Sequence, residues 1–201
     1  MKENIDEDEE SRDFYCDVIS DEARKMNEMV RSLLNLNQIE FGGNALEMSR
    51  FDLGQMIHNK ISASRILFEK KKVKMEYEPR ENMNVWGDEL MIEEAFSNYL
   101  SNAINHVTVG GRIRIWCEDL EKDLRLHVYN DGSPIPEEDK DKIWDKFYKV
   151  DKARTREYGG SGIGLSLVAA TMQAHGTSYG FNNLEEGVDF YFDLDRNNEI
   201  E

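Results

Sequence analysis

Cysteine is scarce in this 201-residue sequence. Its two cysteines, Cys16 and Cys117, lie far apart, which excludes a disulfide scaffold and a cysteine-based zinc site. We therefore interpret them as the reduced thiols of a cytoplasmic protein. No apolar run approaches the roughly 18 residues that a membrane helix needs, and the acidic start MKENIDEDEE is unlike a signal peptide. These absences predict a cytoplasmic chain that makes no membrane contact of its own.

The charge is strongly one-sided, because 41 acidic residues stand against 25 basic ones and the formal net charge is −16. Such a chain is a poor binder of nucleic acid, whose phosphates are held by Lys and Arg, and of anionic membrane surfaces. Hydrophobic residues make up 39% of the sequence and aromatic residues 10%, which suffices for a folded core. The length predicts one domain, or one domain with an appended element.

Residues 11–40 carry the pattern of one long amphipathic helix without an interrupting Gly or Pro. Apolar residues recur along it at heptad spacing, and further ones widen the stripe. The stripe comprises Ile19, Ala23, Met26, Met29, Val30, Leu33, Leu36 and Ile39. Such a seam suits a coiled coil or a helical hairpin and needs a partner helix, from this chain or from a second copy. The Gly42-Gly43 pair predicts the end of the helix.

Helices and strands intermingle in the remainder of the chain without a regular β-α repeat. Asp52 and Gln55 predict a capping box at the start of a helix that runs to about Lys70, with Ile66 or Leu67 inward. Further helices are predicted over 89–106, 137–148 and 163–175, and strands over 45–49, 73–77, 113–117, 124–128 and 190–194, with one more around residue 85. This pattern favours an α/β (α+β) fold, a two-layer sandwich of one sheet covered by helices on one face.

Two asparagines, Asn98 and Asn102, lie on the predicted helix 89–106 one turn apart and therefore share a face. Asn is a poor helix former, so two of them among apolar neighbours suggest a use for their amides. They could make caps or helix-to-helix hydrogen bonds, or Asn102 could offer its carbonyl oxygen to a Mg²⁺ ion that also holds phosphates.

A glycine-rich loop, GGSGIGL over 159–165, opens the predicted helix 163–175. Glycine lets the backbone approach a ligand closely, and the free N–H groups at a helix N-terminus attract phosphate. The loop is neither a Walker loop nor a Rossmann fingerprint, and taken alone a flexible turn explains it equally well.

Two other segments accompany this loop. NDGSPI (130–135) ends a predicted strand in a polar turn. The segment from Asp145 to Arg156 carries five bases and two acids in a strongly acidic chain. We interpret that segment as a lid that folds over polyphosphate rather than as a solvated loop.

The order of these four elements resembles the ATP-binding domain of sensor histidine kinases, in the superfamily that includes gyrase, heat-shock chaperone and mismatch-repair ATPases. The asparagine box is NYLSNA (98–103), the first glycine box NDGSPI (130–135), the phenylalanine box IWDKFYKVD (143–151) and the second glycine box GGSGIGL (159–165). The resemblance covers about residues 50–195, and its wording is most similar to Gram-positive sensors of the vancomycin-resistance type. LLNLNQIEFG (33–42) is similar to the end of the family's dimerisation and phosphotransfer hairpin.

The resemblance implies two regions, a partial dimerisation and phosphotransfer segment over 1–45, with the second hairpin helix at 11–40, and an ATP-binding catalytic domain over 46–201. It implies ATP and Mg²⁺ as cofactors, a cognate response regulator as partner, and a homodimer formed through the N-terminal helix. The parent protein would be a membrane-anchored sensor with this portion in the cytoplasm. Its activity would be that of a protein histidine kinase, which transfers the γ-phosphate of ATP.

The resemblance also gives roles to individual positions. Asn102 would coordinate Mg²⁺, Asn130 would accept a hydrogen bond from the adenine amino group, and Gly132 would let the base pack closely. The implied nucleotide-binding residues are Asn98, Asn102, Asn105, Asn130, Gly132, Ile135, Phe147, Tyr148, Lys149, Gly160, Ser161, Gly162, Ile163, Gly164 and Leu165.

Three of the implied residues would be catalytic. Asn98 would face the nucleotide, while Lys149 and Arg154 would reach phosphate. Phe147 and Tyr148 would anchor the lid that carries the two bases.

Three departures from the family's pattern keep other functions open. Asn130 stands where the family usually has Asp, which preserves a hydrogen-bond acceptor but removes its charge. Asn105 stands where many relatives carry Lys, and Pro134 replaces a glycine. An ATP-sensing or dimerising pseudokinase module is therefore one alternative. A related ATPase is the other, although Asn98 occupies the place of the Glu with which those relatives activate water.

The family's phosphoacceptor histidine is followed by an acidic residue and, soon after, by Thr-Pro. His58, His106, His127 and His175 all lack that context. We interpret all four as structural and expect the phosphoacceptor to lie outside this sequence, which would begin just past the first helix of the hairpin.

Overall fold

The computed structural model of the chain describes residues 9–41, 45–150 and 161–197, apart from the side chains of residues 9, 10 and 28. In this part of the chain a long helix is followed by seven strands and four further α-helices. Their order is α1 (Glu9–Glu40), β1 (Met48–Asp52), α2 (Leu53–Ala63), α3 (Arg65–Lys71), β2 (Lys74–Tyr77), β3 (Asn84–Asp88), α4 (Glu89–His106), β4 (Arg112–Asp119), β5 (Asp123–Asp131), α5 (Gly164–His175), β6 (Tyr179–Leu184) and β7 (Gly187–Asp195).

The strands form one mixed sheet in the order β1-β3-β7-β5-β4-β2, with β6 paired to β7 off this path. β2 lies parallel to β4, whereas the other pairs among the described strands are antiparallel. Alternation defines the two faces, because Ile113, Ile115 and Cys117 of β4 are buried while the residues between them are partly exposed. The two-layer α/β sandwich predicted from the sequence is confirmed.

The core lies between the apolar face of the sheet and the helices that cover it. Tyr99 of α4 is fully buried, and its ring lies 5.2 Å from that of Phe190 and 5.6 Å from that of Phe192, both on β7. Its hydroxyl donates to the backbone oxygen of Tyr191 at 3.2 Å. Burial raises the pKa of Tyr99, so the hydroxyl remains a donor at physiological pH. This packing fixes α4 across the middle of the sheet.

The opposite face of the sheet carries paired polar and aromatic side chains. Trp116 of β4 stacks on His127 of β5 with ring centroids 4.5 Å apart, and His127 in turn bonds to the carboxylate of Asp189 at 2.9 Å. Arg125 makes a two-pronged contact with Asp193 at 2.7 and 2.9 Å. These cross-strand pairs account for the buried charged groups on a face that no described helix covers.

The start of α4 lies where the sequence predicts it. The carboxylate of Asp88 accepts a hydrogen bond from the N–H of Met91 at 3.2 Å and so caps the helix. Asp52 caps α2 in the same way through the N–H of Gln55. The predicted capping box is wrong in its second half, because the Gln55 side chain bonds to Asn59 at 2.8 Å instead of returning to the cap.

The single helix predicted from Asp52 to about Lys70 is also wrong, because the chain breaks it into α2 and α3 at Ser64. Ser64 has ψ near 0°, outside the helical range, and the second helix starts on a new axis. As a result Phe68 is buried, whereas Ile66 and Leu67, predicted to point inward, are exposed.

The helix predicted over 137–148 is replaced by two short 3₁₀ turns, Glu137–Asp139 and Lys142–Trp144. Asp145 is extended and Phe147 has φ of 64°. A right-handed helix cannot pass through a left-handed residue, so Phe147 ends any helical continuation. The ring of Trp144 instead packs against that of Tyr179 at 4.9 Å, which ties this segment to β6.

The long helix predicted over 11–40 is confirmed as α1, and its last turns pack against the same chain. Leu36 is fully buried against Ile163 and Ala170 of the α5 region. Met29, Leu33 and Ile39 are partly buried around it. The lower half of the predicted seam is therefore covered by this chain's own residues rather than by another long helix.

Polar contacts continue this interface along α1. Glu40 bonds to Lys146 at 2.5 Å, and Asn35 lies 3.3 Å from the carboxylate of Glu94 on α4. The upper half of the helix leaves its apolar residues exposed, among them Phe14, Tyr15, Ile19, Met26 and Val30. In the described part of the chain no helix combines the length and the hydrophobicity needed to cross a bilayer.

Candidate functional site

The asparagine box lies on α4, where Asn98 contacts the second glycine box. The Asn98 amide nitrogen donates to the backbone oxygen of Glu94 at 2.9 Å, which leaves its Oδ1 oxygen directed at the start of α5. A Cβ atom on Gly164 would lie 2.7 Å from that oxygen. The absence of a side chain at Gly164 is therefore what lets the glycine box approach α4. Asn102 and Asn105, also predicted as site residues, are half-buried further along α4.

The phenylalanine box and the second glycine box meet in a short stem. The N–H of Phe147 donates to the carbonyl oxygen of Gly162 at 2.7 Å. Gly162 has φ of 73°, and a Cβ atom there would lie 2.9 Å from the Cα of Phe147. Glycine is thus required at Gly162 both by its conformation and by the neighbouring backbone. The stem thus joins residue 147, near the start of the predicted lid, to the glycine box that follows it in sequence.

The two residues predicted to anchor the lid, Phe147 and Tyr148, are held in place differently. Tyr148 donates its hydroxyl to the buried carboxylate of Asp139 at 2.5 Å, and this hydrogen bond raises the pKa of Tyr148. The ring of Phe147, in contrast, is 54% exposed, so its anchoring group is the backbone N–H and not the side chain. Asp139 was not expected from the sequence, because it lies in a segment whose acids looked like those of a solvated helix.

Asn130 lies at the end of β5 and is 3% exposed. Its amide nitrogen donates to the backbone oxygen of Asp131 at 3.2 Å, which orients the side chain and leaves Oδ1 as a hydrogen-bond acceptor. The adjacent Asp131 carboxylate is occupied, because it accepts from the Tyr129 hydroxyl at 2.7 Å and from the Arg112 N–H at 2.8 Å. Asn130, and not Asp131, therefore offers the open acceptor of the first glycine box.

Gly132 is confined by α4. A Cβ atom on Gly132 would lie 2.9 Å from the backbone oxygen of His106. A side chain at this position would therefore collide with the end of α4, and the role of Gly132 beside a base stays a prediction. The first glycine box and the asparagine helix are joined at this point.

Ile135 is held by a residue that sequence reasoning missed. Asn183 of β6 accepts from the Ile135 N–H at 2.9 Å and donates to the Ile135 oxygen at 2.7 Å. A side-chain amide thus substitutes for a neighbouring strand and fixes the turn that follows Asn130. The sequence signal was weak, because Asn183 is one of two consecutive asparagines that belong to none of the four boxes.

Lys71 is a second residue that the sequence did not single out. Its ammonium group donates to the backbone oxygens of Ile104 and Asn105, at 2.6 and 3.0 Å, and so caps the end of α4. Partial burial lowers the pKa of Lys71. The cation is thus brought to Asn105 through the fold, from a helix distant in sequence.

Of the remaining residues predicted to bind the nucleotide, some lie in the part of the chain that the structure describes and some lie outside it. Ser161 accepts from the N–H of Ile163 at 3.2 Å, and Ile163 is fully buried against α1. Lys149 is half-buried and makes no ion pair with the described residues, whereas Leu165 packs against the main core. Gly160 and Arg154 lie outside the described residues. No cluster of three or more His, Cys, Asp or Glu side chains suited to a metal occurs in the described ranges.

His127 and His175 each join two elements of the fold. His127 pairs with Asp189 on the sheet face. His175 at the end of α5 bonds through Nδ1 to the Thr171 oxygen at 2.7 Å, and its Nε2 accepts from the Asp88 N–H at 3.0 Å. His175 therefore joins the end of α5 to the cap of α4. His58 and His106 are exposed on α2 and α4.

Comparison with known proteins agrees with this architecture. Residues 87–198 match the family model described as histidine kinase-, DNA gyrase B- and HSP90-like ATPase. The chain is 38% identical over 110 residues to the sensor protein VanSB of Enterococcus faecalis, which covers 55% of this chain and 25% of that protein. It is 30% identical over 174 residues to the sensor histidine kinase CusS of Escherichia coli, covering 87% of this chain and 36% of that one.

Among solved structures, the histidine kinase ThkA in complex with the response regulator protein TrrA superposes with a TM-score of 0.78. The identity is 27%, and the match covers 97% of this chain and 54% of that chain. The chain spans a quarter to about two fifths of the length of the curated relatives that it matches.

Proposed function

Because the chain belongs to the histidine kinase-, DNA gyrase B- and HSP90-like ATPase family, we propose that it is the ATP-binding catalytic part of a two-component sensor histidine kinase. The observation that carries the proposal is that three of the boxes meet at the start of α5 while the first glycine box packs on the end of α4. Asn98 touches Gly164, Gly162 bonds to Phe147, and Asn130 lies in the turn that packs on the end of α4.

The proposed adenine contact uses Asn130. Its Oδ1 oxygen is the open acceptor at the end of β5, and an adenine amino group is a donor of matching polarity. Replacement of the family's usual Asp by Asn keeps this hydrogen bond and removes a negative charge. We expect this replacement to lower the affinity for ATP, because a neutral acceptor makes a weaker hydrogen bond than a carboxylate does.

The proposed phosphate contacts use the N-terminus of α5 and the basic segment. The 12-residue helix α5 starts at Gly164, and its first N–H groups and dipole favour an anion. Lys149, which has no ion pair among the described residues, adds a positive charge next to the stem. Arg154 and Gly160 belong to the same proposal on sequence grounds. Their combined role is to position the γ-phosphate and to stabilise its charge during transfer.

The proposed Mg²⁺ ligand is Asn102. The described residues offer no carboxylate or histidine cluster, whereas Asn102 is a half-buried amide on the same face of α4 as Asn98. An amide oxygen is a hard, neutral ligand of the kind that Mg²⁺ accepts alongside phosphate oxygens and water. A bound Mg²⁺ would neutralise phosphate charge at this position.

The phosphoacceptor in this proposal is a histidine outside the four present here. α1 is proposed as the second helix of the dimerisation hairpin, within a segment over 1–45 that precedes the catalytic domain over 46–201. The exposed apolar residues of its upper half, such as Ile19 and Met26, support a homodimer through this helix. A response regulator is the proposed phosphate recipient, since ThkA was solved with one. The proposed location is the cytoplasmic part of a membrane-anchored sensor, where ATP is available.

Hydrolysis of ATP by this chain is the less favoured candidate. Asn98 cannot take a proton from water, and the nearest carboxylate on α4, that of Glu94, faces Asn35 of α1. The arrangement therefore lacks a positioned general base among the described residues. Transfer to a histidine supplied by another helix fits the site better than hydrolysis does.

The test is incubation with γ-labelled ATP, with and without a second polypeptide that carries the first hairpin helix and its histidine. We expect no acid-labile label on the chain alone and label on the added polypeptide when the two assemble. Tethering the added helix in cis should increase the labelling, because it raises the effective concentration. Rapid ATP turnover by the chain alone, or label on any of its own histidines, would contradict the proposal.

A further inference from the structure

β2 is an edge strand whose outer side is open. In the described sheet its one neighbour is β4, on which it lies in parallel register. The N–H groups of Lys74 and Glu78 point toward β4, because they donate to the backbone oxygens of Gly111 and Ile115. Backbone groups alternate in direction along a strand, so those of Met75 face the open edge. A further strand could pair there without displacing any described element.

A groove runs beside this edge. It has a volume of about 460 Å³ and lies between the end of α2, α3 and β2. Its apolar lining comes from Ile61, Phe68, Val73 and Met75. On the same short helix Ile66 is 76% exposed. Apolar side chains on one face of an added strand would find cover here.

The rim of the groove is basic in a chain of net charge −16. Between Arg65 and Glu78 the sequence has five basic and three acidic residues, and two of the acids, Glu69 and Glu78, are neutralised by ion pairs with Arg65 and Arg114. Arg65 and Lys71 have partners within the fold, whereas Lys70, Lys72 and Lys74 are exposed and make no ion pair with the described residues. Three unpaired lysines thus surround the open edge.

These lysines decide which strand the edge can accept. A second copy of this edge would bring its own basic rim against this one, so repulsion between the two rims opposes pairing. An acidic strand, in contrast, would be attracted by the lysine side chains at the rim. An anionic membrane explains the charge but not the open backbone groups or the concave apolar lining. The combination of edge, groove and charge is characteristic of strand addition.

We propose that the β2 edge is a docking site for an acidic, extended segment of a partner protein, which pairs with β2 and places alternate apolar side chains in the groove. None of the proposed nucleotide residues lines the groove. The proposal therefore goes beyond the proposed kinase function and does not depend on it.

The test uses a capped seven-residue peptide of alternating Glu and Val, with a matched peptide of alternating Lys and Val. Binding is measured by fluorescence anisotropy and mapped by amide chemical shifts of the ¹⁵N-labelled chain. We expect the acidic peptide to bind and to shift the amide signals of Met75 and Tyr77, and the basic peptide to leave them unchanged. Absence of binding up to about 1 mM, or shifts confined to other strands, would overturn the proposal.

Charge reversal supplies the matched control. Lys72→Glu with Lys74→Glu should weaken peptide binding about tenfold, because attraction at the rim becomes repulsion. Arg24→Glu with Lys25→Glu on α1 changes the net charge equally and should leave binding unchanged. Equal losses in both variants would mean that general electrostatics, and not the edge, holds the peptide. Binding of the chain to anionic lipid vesicles that is lost with the first pair, without peptide binding, would assign the patch to a membrane and overturn the proposal.

Discussion

The stem between Phe147 and Gly162 leads to a prediction with a built-in control. Gly162 and Gly176 both have left-handed backbone, with φ of 73° and 68°. A Cβ atom on Gly176 would have no neighbour within 4 Å, whereas one on Gly162 would lie 2.9 Å from the Cα of Phe147 and 3.2 Å from the Tyr148 oxygen. Alanine at the two positions therefore carries the same conformational cost and differs only in what the new methyl group meets.

The magnitudes follow from these contacts. Left-handed backbone costs a non-glycine residue about 1–2 kcal/mol, and reduced freedom of the unfolded chain returns roughly 0.5 kcal/mol. Gly176→Ala should therefore lower the free energy of unfolding by about 1 kcal/mol. Gly162→Ala must also displace backbone and lose the hydrogen bond from Phe147, worth about 1 kcal/mol more. Because the stem carries the proposed phosphate loop, the ATP affinity of the Gly162→Ala variant should fall at least tenfold, about 1.4 kcal/mol.

The assay pairs urea unfolding with titration of ATP in the presence of Mg²⁺. We expect Gly176→Ala to bind ATP like the unchanged chain despite its lower stability. If Gly162→Ala also binds ATP normally, the stem does not shape the nucleotide site. If both variants lose affinity in proportion to their lost stability, the effect is one of folding and our reasoning about the stem is refuted.

Three further predictions concern the site and α1. Asn102→Ala should reduce Mg²⁺-dependent ATP affinity while binding without metal changes little in calorimetric titration; equal loss in both conditions would indicate damage to the fold. Lys149→Ala should weaken ATP binding by about 1.5–3 kcal/mol and adenosine binding hardly at all, because only ATP carries phosphates; similar losses for both ligands would argue against a lid. Ile19→Asp with Met26→Asp should give a monomer in light scattering that still binds ATP, since both side chains are exposed and far from the site; a native chain that is already monomeric at high concentration would contradict the dimer.

Local signals allowed much of the fold to be predicted from the sequence. The start of α4 was fixed by Asp88, whose side chain caps the helix through a neighbouring N–H. The central strands followed from alternation, since alternate residues of β3 and β4 and most of β5 are buried. A helix cap and the alternation of a strand depend on residues that are near in sequence. Where no distant contact intervened, the predictions made from them were confirmed.

The errors arose where distant contacts decide the local structure. The segment 137–148 has the composition of a helix, but the Tyr148 bond to Asp139 and the packing of Trp144 on Tyr179 hold it in turns. The break at Ser64 has no Gly or Pro to announce it. The heptad seam of α1 correctly indicated that cover was needed, but Leu36 found that cover on Ile163 of the same chain.

The candidate site likewise combines residues that could be predicted from local sequence and residues that could not. Its asparagines and glycines could be recognised as boxes, and the structure brings the described ones together. Asn183 and Lys71 were missed because each acts on backbone atoms of a segment far away in sequence. A side chain that serves a distant carbonyl leaves no periodic pattern and belongs to no motif. Such residues become visible when the chain is folded.

The end of α1 touches both sides of the stem, since Glu40 holds Lys146 just before Phe147 and Leu36 covers Ile163 just after Gly162. The part of α1 from residue 9 to Met29 extends about 30 Å beyond this contact, at the helical rise of 1.5 Å per residue. A movement of this part therefore acts on the contact as a lever does. A sideways movement of about 5 Å at the far end of such an arm rotates the helix by roughly 10°. A rotation of that size shifts contacts near the pivot by about 1 Å, which a hydrogen bond of normal length does not survive. Force applied at the start of this chain thus reaches the backbone beside the proposed phosphate site.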